Sequence, residues 1–296
     1  MTPAPVLSAR RLADLPFLKV EGLGNDFLLI DLRRPADGPR PPTPGPCESA
    51  PDPAALARWL EALQQRAPAL CDRHTGVGGD GLLLVTPPQR PGSAATMLVV
   101  NHDGSRPEMC GNGLRCVALY LADGRATLRV DTDAGVRACQ VHPDDTAHAG
   151  EVEVDMGRAE PLGDRTVAGR RFATFSLGNP HAVAFVAPDE DPEQLARTLG
   201  PIVETDPQFP ARTNVEFARR EADGSLTLWV WERGCGITAA CGTGACATLA
   251  AAVAKGLALA EVSVRVQLPG GPLELRLGDG RVWMTGPARL VFRGVV

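Results

Sequence analysis

The sequence predicts an α/β (α+β) fold of two pseudo-symmetric domains, and three observations carry that expectation. The chain has 296 residues, which at roughly 150 residues per domain suffices for about two, each with its own core. Beyond the first third, short apolar strand-like runs dominate, interrupted by only two stretches of helical character. One pattern of strand, cysteine and helix occurs twice, with its cysteines 131 residues apart, the signature of an internal duplication.

Taken in order, residues 1–16 form an N-terminal extension. The turn Gly22-Leu23-Gly24-Asn25-Asp26 leads into a strand at 27–31. Residues 35–53 contain eight prolines, a density that neither strand nor helix survives, so an exposed loop is expected. Ala54, Leu56, Leu60 and Leu63 fall at helical spacing and predict a helix over 53–65. Gly76, Gly78, Gly79 and Gly81 then precede an apolar strand at 82–85. A dinucleotide fingerprint follows a strand and opens a helix, the reverse order, so these glycines do not indicate nucleotide binding. Further strands are expected at 97–101, 127–131, 151–155, 182–186, 214–218, 226–231, 262–266, 273–277 and 290–292, and helices at 113–121 and 244–255.

Composition excludes several classes of function. Hydrophobic residues make up 44% and charged residues 22%, ordinary globular values, and no run approaches the roughly 18 apolar residues of a membrane span. A net charge of −5 argues against a nucleic-acid partner. The first nineteen residues lack an uninterrupted apolar segment of signal-peptide length, so a reducing cytoplasm is expected and the eight cysteines are read as thiols. Cys47, Cys71 and Cys139 suit small buried hydrophobes, and Cys116 and Cys246 fall inside the helices. Only Lys19 and Lys255 are available for Schiff-base chemistry.

Cys110 and Cys241 differ from the rest. In each copy a strand ends at a polar residue, Asn101 or Glu232, nine positions before the cysteine, and a helix opens just after Cys-Gly-x-Gly. Leu23-Gly24-Asn25 is echoed by Leu177-Gly178-Asn179. Two related halves then place one cysteine on each wall of a cleft. A helix N-terminus carries about half a positive charge and unpaired amides, so it binds anions and lowers a nearby thiol's pKa. Two such thiols on opposite faces of one carbon suit stereochemical inversion, with one removing a proton and the other supplying one. The amides of Gly111, Asn112, Gly242 and Thr243 would hold a substrate carboxylate. The same two cysteines are also compatible with a structural or regulatory disulfide. Zinc would need further Cys or His ligands at short spacing, and no metal site is expected. Taken singly, Asn25 and Asn179 suit turns, His181 a core, and Arg233 a surface ion pair.

Seven blocks in order carry a family resemblance: 22–27, Asn101-x-Asp103-Gly104-Ser105, Met109-Cys110-Gly111-Asn112-Gly113-x-Arg115, Gly178-Asn179-Pro180-His181, 212–217, Glu232-Arg233-Gly234, and 240–246. At these residues the chain resembles the diaminopimelate epimerase family, cofactor-independent enzymes that interconvert LL- and meso-diaminopimelate. The resemblance implies that each domain is a curved, barrel-like sheet around a central helix. It also implies a first domain at 17–146, a second at 147–286, and a C-terminal strand at 287–296 returning to the first. Cys110 and Cys241 would be the acid/base pair, assisted by His181 and Glu232. Asn25, Asn101, Asn179, Asn214, Glu232 and Arg233 would bind substrate, with Gly111, Asn112, Gly242 and Thr243. The expected enzyme is a homodimer acting on a small amino acid in lysine and peptidoglycan precursor biosynthesis, without metal or cofactor. Two positions depart from common family patterns: Ile237 stands where Glu is frequent, and Gly81 where some members have Gln. The alternative within the superfamily is a histidine- or proline-type racemase, against which Asn112 after Cys-Gly speaks. The alternative from another class is a thiol redox switch.

Overall fold

In β1 (Pro16–Gly22) and β2 (Asn25–Asp31) the chain makes a tight hairpin, whose two turn residues, Leu23 and Gly24, have φ of 56° and 80°. Positive φ at both positions is the turn whose twist matches paired antiparallel strands. The computed structural model describes residues 15–33 and 53–296. The extension before Leu15, most of the proline-rich loop at 35–53, and Cys47 lie outside the described residues.

The remaining elements are α1 (Pro53–Cys71), β3 (Gly81–Thr86), β4 (Ala95–Asn101), α2 (Gly111–Ala122), β5 (Thr127–Thr132), β6 (Gly135–Pro143) and β7 (Ala149–Gly157). The second half contributes β8 (Glu160–Val167), β9 (Arg170–Ser176), β10 (Pro180–Phe185), α3 (Pro192–Glu204), β11 (Asn214–Arg220), β12 (Leu226–Glu232), β13 (Gly236–Ile237) and α4 (Gly242–Ala254). It ends with β14 (Val264–Leu268), β15 (Gly271–Gly278) and β16 (Arg281–Val295).

Several of these differ from the sequence expectation, each for a physical reason. Helix α1 runs past residue 65 because Leu63, Ala67 and Leu70 continue one buried stripe, and Pro68 falls within the last turn. Helix α3 was not expected. Pro201 reads as a breaker, yet Asp191 caps the helix by accepting from Glu193 N at 2.9 Å, and Pro192 sits in the first turn where its missing N–H is harmless. Strand β8 is exposed along almost its whole length, so no apolar alternation announces it. Strand β16 replaces the short strand expected at 290–292, running unbroken through Gly286 and Pro287.

The strands form one path, β1-β2-β3-β4-β5-β6-β7-β16-β15-β14-β12-β11-β10-β9-β8, with β13 attached to β12. An added pairing of β1 with β16 closes the first eight strands into a barrel. The ladders repeat pairwise between halves. β2/β3 is parallel like β10/β11, and β4/β5 like β12/β14. β16 is shared, pairing with β15 and β7 along its first part and with β1 along its last.

Each half wraps one helix. Eleven of the twelve residues of α2 are buried, including Leu114, Val117 and Leu121, and burying such side chains contributes about 1.5–3 kcal/mol each. Packing therefore holds the helix, more than its intrinsic propensity does. Helix α4 is alanine-rich and buried from Gly242 to Ala252, and its small side chains let strands approach closely on all sides.

Candidate active site

Both central helices begin at a cysteine in extended conformation: Cys110 caps α2 and Cys241 caps α4. The next residue is glycine in each case, and the two glycines touch. A Cβ added to Gly111 would lie 3.7 Å from the Gly242 Cα and 2.9 Å from Met284 Cε, and one on Gly242 would lie 3.6 Å from the Gly111 Cα. Only residues without side chains let the two helix N-termini, with their first-turn amides, meet this closely.

The sulfurs have different surroundings. Cys110 Sγ accepts the Gly113 amide at 3.3 Å. Cys241 Sγ lies 3.7 Å from Thr243 Oγ1. Thr243 accepts from Asn179 Nδ2 at 3.3 Å, and Asn179 Oδ1 lies 3.0 Å from His181 Nε2. His181 Nδ1 meets Glu216 Oε1 at 2.7 Å, with both side chains fully buried. Glu232, at the end of β12, accepts the Thr238 hydroxyl. Its carboxyl is raised by burial, which hydrogen bonds from Thr238 and Cys241 oppose, and its charge bears on Cys110 as well.

Against the expectation that helix termini depress the thiols, both are raised. Burial pushes Cys110 up to about 11. Burial, joined by Glu232 and Glu216, pushes Cys241 well above the ordinary value. Desolvation of a thiolate outweighs the helix field here. The consequence is chemical: once formed, a thiolate of raised pKa is a stronger base than an ordinary one.

On the first-half wall, Asn112 Nδ2 donates to Asn25 Oδ1 at 2.7 Å and to the Ala240 carbonyl at 2.9 Å, tying the halves together. Asn112 Oδ1 is buried without a partner, an acceptor that a bound N–H donor would satisfy. Asn25 Nδ2 donates to Asp80 Oδ2 at 3.0 Å. On the second wall, Asn214 Oδ1 accepts the Arg233 amide at 2.9 Å. Glu204 Oε1 accepts the Gly234 amide at 2.8 Å, fixing the same turn. The Arg233 guanidinium reaches Glu108 of the Cys110 loop at 3.5 Å. Asn101 ends β4 as expected, but its carboxamide bonds locally to Ser105 at 2.9 Å.

Cys110, Cys241, His181, Glu232, Asn179, Thr243, Gly111, Gly242, Asn112 and Asn25 thus share one continuous neighbourhood, with Asn214 and Arg233 on its flank. The sequence pattern singles out neither Glu216 nor Asp80 nor Glu204, because each needs the tertiary structure to reveal its partner. Ile237 packs on the apolar cluster that includes Trp231. At Gly81 a Cβ would lie 2.4 Å from the Val100 carbonyl oxygen, so any larger residue there requires β3 and β4 to shift. Both Cys110 and Cys241 are free thiols, and among the described residues no group of three or more His, Cys, Asp or Glu is placed to hold a metal ion.

The fold is shared with solved structures of varied description, among them a methylitaconate-delta-isomerase. A probable proline racemase from Agrobacterium radiobacter superposes with a TM-score of 0.69 at 17% identity, over 95% of this chain and 92% of that one. A hydroxyproline epimerase from Agrobacterium vitis gives 0.70 at 18%, over 96% and 92%. Sequence comparison goes further than the shared fold. The diaminopimelate epimerase family model matches residues 56–162 and 173–291. A diaminopimelate epimerase from Synechocystis sp. is 42% identical, covering 95% of this chain and 98% of the relative, and one from Desulfitobacterium hafniense is 43% identical over the same shares. The chain belongs to the diaminopimelate epimerase family.

Proposed function

We propose that the protein interconverts LL-2,6-diaminopimelate and meso-diaminopimelate by cofactor-independent proton transfer at one α-carbon. The observation that carries this reading is the abutting pair of cysteine-capped helices. The substrate α-carboxylate sits on the amides of Gly111, Asn112, Gly242 and Thr243, where negative charge grows as the α-proton leaves. One cysteine, as thiolate, takes that proton. The other, as thiol, delivers its own to the opposite face, and the two exchange protonation states in each turnover. His181 and Glu232 assist the proton handling. Asn25, Asn101, Asn112, Asn179, Asn214, Glu232 and Arg233 position the substrate, with the Arg233 guanidinium offered to its distal carboxylate. The division of the chain into domains at 17–146 and 147–286 with a returning strand at 287–296, a homodimeric assembly, a cytoplasmic location, and a place in lysine and peptidoglycan precursor biosynthesis complete the proposal.

The test is incubation of reduced protein with LL-diaminopimelate in heavy water, without added cofactor, followed by chiral chromatography and mass spectrometry. The expected product is meso-diaminopimelate with one deuterium at the inverted carbon. No inversion, or inversion of proline or histidine in its place, would overturn the assignment.

A further inference from the structure

Five residues after each site cysteine, at the same step of the two central helices, the halves differ in charge: Arg115 of α2 stands where α4 has Cys246. Arg115 is fully buried. Its Nε donates to the Pro287 carbonyl at 3.1 Å, its Nη1 approaches Met284 Sδ at 3.8 Å, and its Nη2 has no partner. Among the described residues no carboxylate lies within ion-pair distance of it, and Glu151 of β7, which is exposed, bears on it from beyond that range. Burial lowers its pKa, yet a guanidinium keeps its proton in proteins, so the first half encloses a lone positive charge. Such a charge is costly to bury. The neutral Cys246 shows that the fold does not need one at this step, and packing does not explain it.

Its position points to a role. A helical side chain leans toward the N-terminus of its own helix, and here that direction leads to the meeting of the two helix N-termini. Met284 lies between them and the guanidinium. A Cβ added to Gly111 would be 2.9 Å from Met284 Cε, one added to Gly242 would be 3.1 Å from Met284 Sδ, and Arg115 Nη1 contacts that same sulfur. Gly22 of β1 leaves room on the other flank, since a Cβ there would lie 3.2 Å from Nη2. The charge thus stands one side chain behind the paired glycines, in a low-dielectric interior where its field carries. Burial holds the Cys110 thiol up. Against burial act the amides of Gly113 and Asn112 and the charge of Arg115, while the charge of Glu232 on β12 adds to it. Cys241 is held up by burial and by the acids Glu232 and Glu216, and no cation is among the groups that bear most on it. The ladders show the complementary exchange. Phe27, opposite Gly81, and Leu83 stand in the first half where His181, opposite Asn214, and Glu216 stand in the second.

We propose that Arg115 is a positioning residue for the two-base reaction inferred above: held without a counter-ion behind the abutting helix N-termini, it gives the first wall a fixed positive charge that eases ionisation of Cys110, a charge the second wall lacks. The proposal rests on that reaction, but its test uses no substrate. Alkylation of Cys110 and Cys241 by iodoacetamide is followed by peptide mass spectrometry in the full-length reduced protein, at several pH values below the Cys110 midpoint. Arg115→Met keeps the bulk without the charge, and Arg115→Gln keeps a donor for the Pro287 carbonyl without the charge. In both, loss of the cation should move Cys110 up by about one pH unit. At a fixed pH its thiolate fraction then falls about tenfold while each thiolate becomes more nucleophilic, so Cys110 should react roughly threefold more slowly. Cys241 should slow by less. An unmoved Cys110 rate in either variant, a Gln variant that reacts like the native protein, or an equal fall at both cysteines would overturn the proposal. Failure of both variants to fold, read by circular dichroism, would make Arg115 structural and overturn it too. Absence of diaminopimelate turnover would count against the reaction and leave these alkylation rates as they are.

Discussion

Cys110 and Cys241 leave their loops at similar backbone angles, φ −138°, ψ 106° and φ −111°, ψ 102°, and each is followed by a glycine, a second glycine two residues on and a buried helix. Their side-chain surroundings have diverged. Around Cys241 stand His181, Glu216, Glu232 and the Thr243 hydroxyl. The matching first-half positions hold Phe27, Leu83, Asn101 and Asn112, which is apolar filling and neutral carboxamides. Duplication supplied the backbone geometry, with two thiols and two sets of amides about a pseudo-twofold axis. Divergence then set ionisable groups at these places on one wall and apolar or neutral hydrogen-bonding groups at the matching places on the other, where the Asp80 carboxylate stands one hydrogen bond further off. A symmetric backbone suits the inverted carbon, and an asymmetric lining suits a substrate whose two ends must be told apart.

The largest effect should come from removing either sulfur. Cys110→Ala and Cys241→Ala should each lower the rate of LL-to-meso inversion on the order of 10³-fold, measured by chiral chromatography, and equal losses would show that the walls remain equivalent in chemistry despite their linings. Glu232→Gln comes next, at about 10²-fold. Because Glu232 bears on both cysteines, solvent-deuterium exchange at the α-carbon should slow whether it starts from the LL or the meso epimer, and exchange retained from one epimer would assign Glu232 to a single wall. Gly242→Ala puts a methyl 3.1 Å from Met284 Sδ and should cost about 1–3 kcal/mol in denaturant unfolding, with a similar figure for Gly111→Ala.

The smallest effect is a slope with pH. The folded-state pKa of Cys110 is raised to about 11 and those of Cys116 and Cys139 to about 12, against an ordinary 9.0. In the unfolded chain these thiols ionise first, so their contribution is intact below pH 9 and is lost as pH rises to about 11 and 12. Guanidinium unfolding midpoints should fall across that window. Cys110→Ala should flatten the part between pH 9 and 11.

Much of this geometry is legible in the sequence. The repeated Cys-Gly-x-Gly, with a polar residue nine positions upstream, marks where β4 and β12 end and where α2 and α4 begin, because local propensity and tertiary structure agree there. Helix α3 and strand β8 are less legible, since their stability comes from a cap and from neighbours more than from periodicity. Glu216 looks like a solvent-facing residue in the alternation Asn-Val-Glu-Phe-Ala, and only the ladder shows that it turns inward toward α4. The direction of the thiol shifts was likewise hidden, because the helix field follows from sequence and the depth of burial does not.

Strand β16 has a consequence for the order of assembly. Pro16 pairs with Val295, 279 residues away, so the first barrel cannot close until the ribosome has made the chain as far as the end of β16. At roughly 5–20 residues per second, β1 waits on the order of 14–56 s for its partner. Until then it presents an open edge to any strand that meets it, and the first barrel, though its opening strands are translated early, closes only after the strands of the second half have been made.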